Sequence, residues 1–348
     1  MSLNAGELPV YITATDNTPA STVIPTKRLE INLNYGVLNN TVDILNLKSK
    51  ALKSVSAVKA AGIGDYTEYG INLNYGLTYH SMLSGSLKKR SISYGSGNLD
   101  ILTYRYAIRK SFNSVFSLEI GFKGNIADNL KIKNVDEINY YLKKFDNTVT
   151  FEVNDKFILF SKKYPDTTVT LGFLKKADPF FEMKDMKDST KYFRATLGKT
   201  FDYFYPNIYL EYGYTEINSK IDSNFKKLIP EKYKYLIPKL PVNLHRNEWY
   251  WKFGLSLFFR TPFKTLTSFD YSYIKLNRKS DLSYIDNNHI LKGKIGYFLS
   301  KRIILSLQGT LLYRQFNGEI PFLYNKYTQT TFDHSYGWVT LGFTYLWR

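Results

Sequence analysis

Few side chains in this sequence are suited to acid–base or metal chemistry. The four histidines are His80, His245, His289 and His334. Each would need a base, a nucleophile or further ligands beside it to act. Asp333 precedes His334, and Asp286 lies shortly before His289. Adjacent residues of a strand point to opposite faces, so Asp333 and His334 are unsuited to act as a pair. No nucleophile motif and no metal-ligand spacing is present. With no cysteine the chain has no thiol nucleophile, no Cys-ligated zinc and no disulfide framework. Neither an enzyme, a cofactor nor a bound metal is expected.

Charge is the richer chemistry. Lys and Arg number 47 against 30 Asp and Glu, a net charge of +17. A nucleic-acid partner is not expected, because the basic residues are spread along the whole chain with no compact basic domain or recognition motif. Many of the charges occupy every second position of strand-like segments. The basic set is Lys88, Arg90, Arg105, Arg109, Lys123, Arg194, Lys252, Lys292, Lys294, Arg302 and Arg314. The acidic set is Glu30, Glu68, Glu119, Glu211, Glu248 and Asp270. Apolar residues fill the positions between them. Trp249, Trp251, Phe253, Leu255 and Leu257 alternate with Glu248, Lys252, Gly254 and Ser256, and Leu29, Ile31, Leu33 and Tyr35 with Glu30, Asn32 and Asn34. This is the period of a strand with one apolar and one polar face.

Such segments occupy 27–38, 67–80, 82–94, 98–111, 114–124, 156–163, 167–176, 190–201, 207–217, 246–260, 264–277, 288–299, 302–316 and 333–347, about fourteen strands. Most are long enough to cross a bilayer at a tilt. The long connections are 39–66, 125–155, 177–189, 218–245, 278–287 and 317–332. Between them lie tight links at His80-Ser81, Phe112-Asn113, Tyr164-Pro165-Asp166, Thr261-Pro262-Phe263 and Ser300-Lys301, while Gly95-Ser96-Gly97 is short where a long connection is expected. Short turns on one side and long loops on the other mark a closed transmembrane barrel. His245, His289 and His334 would then lie near the outer rim. Residues 134–145 open with an acidic turn and end in lysines, so a short helix is expected there, with another at 46–61.

The composition agrees. Thirty tyrosines, 24 phenylalanines and 4 tryptophans argue against disorder. Tyrosine has an apolar body and a polar tip, which suits the rim of a lipid-facing surface. No apolar run is long enough for a transmembrane helix. Residues 1–9 lack the basic start and apolar core of a signal peptide, so the sequence reads as a mature form with a starting Met.

The chain from residue 27 onward resembles a Gram-negative outer-membrane β-barrel. Its last strand, Gly337-Trp338-Val339-Thr340-Leu341-Gly342-Phe343-Thr344-Tyr345-Leu346-Trp347-Arg348, is similar to the terminal assembly signal of that family, although the family usually ends on the aromatic residue. Ile24-Pro25-Thr26-Lys27-Arg28-Leu29-Glu30 and Tyr75-Gly76-Leu77-Thr78 resemble transport-type barrels associated with aromatic-compound degradation. The resemblance implies an antiparallel up-and-down barrel in a bacterial outer membrane. It also implies assembly by the barrel-assembly machinery.

The expected organisation is an N-terminal periplasmic segment or lumen plug at 1–26 and a barrel at 27–348. The charged face would line a net-basic lumen and favour anions among small solutes. Lys226, Lys227, Lys232, Lys234 and Lys239, in the loop 218–245, would either constrict that lumen or meet lipopolysaccharide phosphates, unless the loop is simply solvated. The expected role is a passive channel or transporter for small solutes. The alternatives are a hydrophobic-substrate transporter with an N-terminal plug and a structural or adhesive barrel with a blocked lumen.

Overall fold

A computed structural model describes residues 18–39, 63–94, 97–128, 181–201, 203–223, 242–260, 264–278, 285–324 and 334–347. It also describes the backbone course of strands at 130–132, 135–143, 148–153, 157–163 and 170–177. Twelve strands form a closed antiparallel ring. They are β1 (Leu29–Leu38), β2 (Ile63–Thr78), β3 (Ser81–Tyr94) and β4 (Gly97–Phe112). Next come β5 (Phe116–Ala127), β6 (Phe181–Gly198), β7 (Phe204–Ser223) and β8 (Arg246–Arg260). The ring continues with β9 (Thr265–Asn277), β10 (Asn287–Phe298), β11 (Ile303–Leu312) and β12 (Tyr336–Trp347). Each strand pairs with its neighbours in sequence. β12 returns to β1, with Leu29 opposite Trp347 and Val37 opposite Val339, so the ring leaves no open edge.

The strand count is therefore twelve and not fourteen. The segments expected as strands at 156–163 and 167–176 are strands, Phe157–Lys163 and Thr170–Ala177, but outside the barrel. They form the two edges of a separate four-stranded sheet, so the link at Tyr164-Pro165-Asp166 joins no hairpin. The run Phe157-Ile158-Leu159-Phe160 lacks the alternation that gives a barrel strand one lipid face and one wet face. The same sheet takes up Val135–Lys143, where a helix was expected. Val135, Ile138, Tyr140 and Tyr141 pair well across a sheet, and β-branched and aromatic residues favour that state over a short helix. The expected helix at 46–61 and the loop lysines Lys226, Lys227, Lys232, Lys234 and Lys239 lie outside the described residues.

Among the described residues no helix is long and apolar enough to cross a membrane. The strands supply the apolar surface instead. Leu33, Leu73, Leu83, Ile108, Ile120, Phe122, Ile208, Phe253, Ile295, Leu307 and Leu341 are all exposed on the outside of the ring. A water-soluble protein rarely exposes so continuous an apolar belt. Aromatic residues edge it at both ends. Near the long loops Tyr212 stacks on Trp249 at 5.2 Å and Tyr35 meets Tyr69 at 5.1 Å. Near the short turns Tyr345 meets Trp347 at 6.4 Å. Within lipid every backbone amide must find its partner inside the protein, and a closed ring meets that demand.

Candidate functional site

The interior of the ring is polar, and two segments enter it. The first is the stretch leading into β1. Ala20, Ser21, Val23 and Ile24 are buried at the end of the barrel that carries the short turns. The amide of Ser21 donates to Asn207 Oδ1 at 2.9 Å, and the Ser111 and Ser117 hydroxyls donate to the carbonyls of Ser21 and Ala20 at 2.6 and 2.7 Å. Ala20 packs with Tyr205, Phe258 and Leu266, and Val23 and Ile24 with Met82.

The second segment, residues 313–324, follows β11 and turns inward at the long-loop end. Its core, Phe316, Asn317, Ile320, Phe322, Leu323 and Tyr324, has no exposed surface. Here the sequence reading is corrected, because strand was expected up to residue 316 but ends at Leu312. A Phe, Ile and Leu-rich stretch in an outer connection would be costly in water, and it is buried here by folding into the ring. Phe316 stacks on Tyr66 of β2 at 6.0 Å and on Trp338 of β12 at 5.8 Å. Asn125 of β5 donates to the carbonyl of Glu319 at 3.2 Å, and Arg246 of β8 to that of Pro321 at 3.0 Å. Arg278, just after β9, lies over the Tyr324 ring at 3.4 Å and donates to Asn317 Oδ1 at 2.6 Å. The segment is thus tied to strands on opposite walls.

Between the two lies the charged wall. Glu119 on β5 is buried and meets three guanidinium groups: Arg105 at 2.6 Å, Arg109 at 2.8 Å and Arg194 at 3.0 Å. Arg194 also pairs with Glu211, which takes Lys123 at 3.1 Å as well. Arg109 reaches towards the Thr18 and Thr22 carbonyls at 3.5 Å, joining the network to the N-terminal segment. Four cations share two carboxylates in this network. Two further carboxylates take paired cations: Glu68 meets Lys88 at 2.9 Å and Arg90 at 3.2 Å, and Glu248 meets Arg246 at 2.8 Å and Arg278 at 3.1 Å. Asp270 accepts from the Ser256 hydroxyl at 2.6 Å. Glu30 is fully buried at the inner end of β1, close enough to Arg28 and Lys294 to feel their charge.

Lys292 and Lys294 line a cavity of about 660 Å³, a volume that includes space continuous with solvent. Asn32, Asn34, Asn72, Lys88, Arg90, Gln308 and Trp338 line it too. Lys252 stands near Glu211 and Glu319. Two residues of the expected charged face lie beyond the strands. Arg302 is exposed in the turn before β11, and half-buried Arg314 follows β11, over the ring of Tyr313 at 5.1 Å. The two-residue period places side chains only while the chain remains extended, and both residues fall where it turns.

Sequence reasoning missed a set of inward tyrosines. Phenols donate to carboxylates at Tyr66–Glu68 (2.6 Å), Tyr192–Glu119 (2.9 Å), Tyr250–Glu211 (2.6 Å) and Tyr209–Asp270 (3.3 Å). Parity was the available signal. Tyr66, Tyr192, Tyr209 and Tyr250 stand two residues from Glu68, Arg194, Glu211 and Lys252 on the same strands, and so share their face. Of the histidines, His80 is exposed in a tight turn. His245 bonds Asn218 at 2.6 Å, and His289 stacks on Tyr271 with Tyr273 tilted and Tyr313 edge-on to it.

No protein-family model matches the chain, and no curated protein matches it. Solved barrels resemble it distantly in shape. The translocator domain of the autotransporter NalP from Neisseria meningitidis is 5% identical, with a TM-score of 0.49, over 91% of this chain and 87% of that one. An outer membrane channel from Pseudomonas putida F1 is 8% identical, with a TM-score of 0.43, over 94% and 98%. A Pseudomonas aeruginosa FadL homologue is 11% identical, with a TM-score of 0.42, over 96% and 93%. A closed antiparallel ring, apolar outside, edged by aromatic rings and polar within, is the architecture of a transmembrane β-barrel.

Proposed function

We propose that this chain is an outer-membrane channel for small polar solutes, with the segments before β1 and after β11 narrowing its two ends. The observation that carries the reading is the contrast between an apolar outer wall and an interior of charged and amide side chains that encloses a polar cavity. Eight-stranded barrels fill with side chains and 16–18 strands leave an open channel. Twelve strands with two inserted segments give a narrow path between those extremes. The basic excess of the network around Glu119 and Glu211 favours anions. In this reading the segment at 1–26 is a lumen plug. The lysine-rich connection between β7 and β8 meets lipopolysaccharide phosphates, and the last strand is recognised by the barrel-assembly machinery.

Reconstitution in a planar bilayer tests the proposal. Discrete conductance steps are expected, with a reversal potential in a salt gradient that reports anion preference. Silence from folded protein, both with and without residues 1–26, would favour a structural surface barrel.

A second reading rests on one observation. The N-terminal segment buries Ala20, Val23 and Ile24 against Met82, Tyr205, Phe258 and Leu266, a small apolar niche inside a polar ring. Displacement of this segment by a bound fatty acid would support a hydrophobic-substrate transporter.

A further inference from the structure

Glu319 is an acidic side chain carried into a basic space by the inserted segment 313–324. It lines the cavity together with Lys88, Arg90, Lys292, Lys294 and Glu68. Its carboxylate feels the charges of Lys252 on β8, Lys292 on β10, Lys123 on β5 and Arg90 on β3, four strands spread around the ring. Yet among the described residues none of the four comes within ion-pair distance of it. The segment is held by other contacts: backbone carbonyls taken by Asn125, Arg246 and Asn288, and the ring stack of Phe316. Glu319 thus sits among cations without an ion pair to any of these four.

The space that these side chains line is continuous with solvent, and a small negative group can reach it. Lys88 and Arg90 of β3 line it, already sharing Glu68. Lys292 and Lys294 of β10 line it too, as do Gln308, Ser306, Thr310 and Thr340. Ammonium and guanidinium groups with neutral donors around them are what an oxyanion needs, and charge-assisted bonds to it are the strong ones.

We propose that this cavity is a binding site for a small oxyanion, a carboxylate or a phosphate group, with Glu319 as a tethered competing charge that keeps the site weak. Weak binding is what conduction requires, since a solute held tightly does not leave. The assignment rests on the channel reading for its purpose but not for its test.

Trp338 lines the same cavity, whereas Trp249, Trp251 and Trp347 are exposed on the outer wall. The full chain carrying Trp249→Phe, Trp251→Phe and Trp347→Phe leaves Trp338 as its one tryptophan fluorophore. In detergent or liposomes, iodide is expected to quench Trp338 more strongly than caesium does. Inorganic phosphate and acetate are expected to relieve that quenching, and whichever competes better names the preferred headgroup. Glu319→Gln is expected to raise the iodide quenching constant by roughly three- to tenfold, the effect of one charge at several ångströms. Lys292→Gln is expected to lower it. Equal quenching by iodide and caesium, or no response to either substitution in protein that retains its β-sheet circular dichroism, would overturn the site. Quenching does not depend on current. A responsive Trp338 in a silent bilayer would therefore remove the channel and keep the anion site, and conductance with an unresponsive Trp338 would do the reverse.

Discussion

Tyr209 on β7 and Gly254 on β8 face each other directly across the strand pair, and the tyrosine ring fills the space in which a side chain at 254 would begin. The same arrangement joins Tyr192 to Gly121 and Tyr250 to Gly213. Each ring covers the bare backbone opposite and brings its phenol to a lumen carboxylate. Gly254→Ala is expected to force the Tyr209 ring aside and to destabilise the barrel by about 1–3 kcal/mol, the usual scale for overpacking. A lower urea midpoint for unfolding from micelles would register the change, and Gly293→Ala, at a glycine with open space around it, serves as the control.

Glu119 is the shared partner of Arg105, Arg109 and Arg194. Its replacement by Gln would leave three buried guanidinium groups facing one another. Breaking a buried pair by removing one partner typically destabilises by about 3–5 kcal/mol. Glu119→Gln is expected to unfold at markedly lower denaturant. If channels still form, their reversal potential in a salt gradient is expected to move further towards the anion value. An unchanged urea midpoint would mean that the arginines find other partners.

The N-terminal segment is tied to the barrel by the hydroxyls of Ser111 and Ser117 and by the Asn207 amide oxygen. Removing residues 1–26 takes away none of the twelve ring strands. The truncated chain is expected to fold and to give larger conductance steps in a planar bilayer. Steps of unchanged size would mean that the limiting constriction lies elsewhere, the segment 313–324 being next to test.

Leu341 on β12 is 57% exposed and lies on the lipid-facing wall. An arginine at the middle of such a wall costs about 2–4 kcal/mol. Leu341→Arg is expected to fold into liposomes less completely than Leu341→Ala, as measured by protection from added protease. Similar yields for the two would argue against a membrane-embedded face at this position.

The barrel was legible in the sequence because its two faces differ so sharply in chemistry. On β8, Trp251, Phe253 and Leu255 alternate with Lys252, Gly254 and Ser256, and the contrast survives without any knowledge of neighbours. The inward tyrosines were less legible, since a phenol suits both lipid edge and lumen, and only its position relative to the next charge decides. Residues 313–324 were the least legible. Phe316, Ile320, Phe322 and Leu323 look alike in sequence whether they face lipid or the inside of a ring. Only the backbone turn after Leu312 distinguishes the two.

The pairing of β1 with β12 joins the first and last strands of the ring. Every other seam in the ring joins strands consecutive in its order, many by a turn of a few residues, but this one waits for nearly the whole chain. Contacts so distant in sequence are slow to form, and until they do, two unpaired edges in an apolar sheet invite aggregation. Closure is thus the late and vulnerable event in the life of this molecule. A chain truncated within β12 would fail as a whole, leaving an open sheet with nowhere to end.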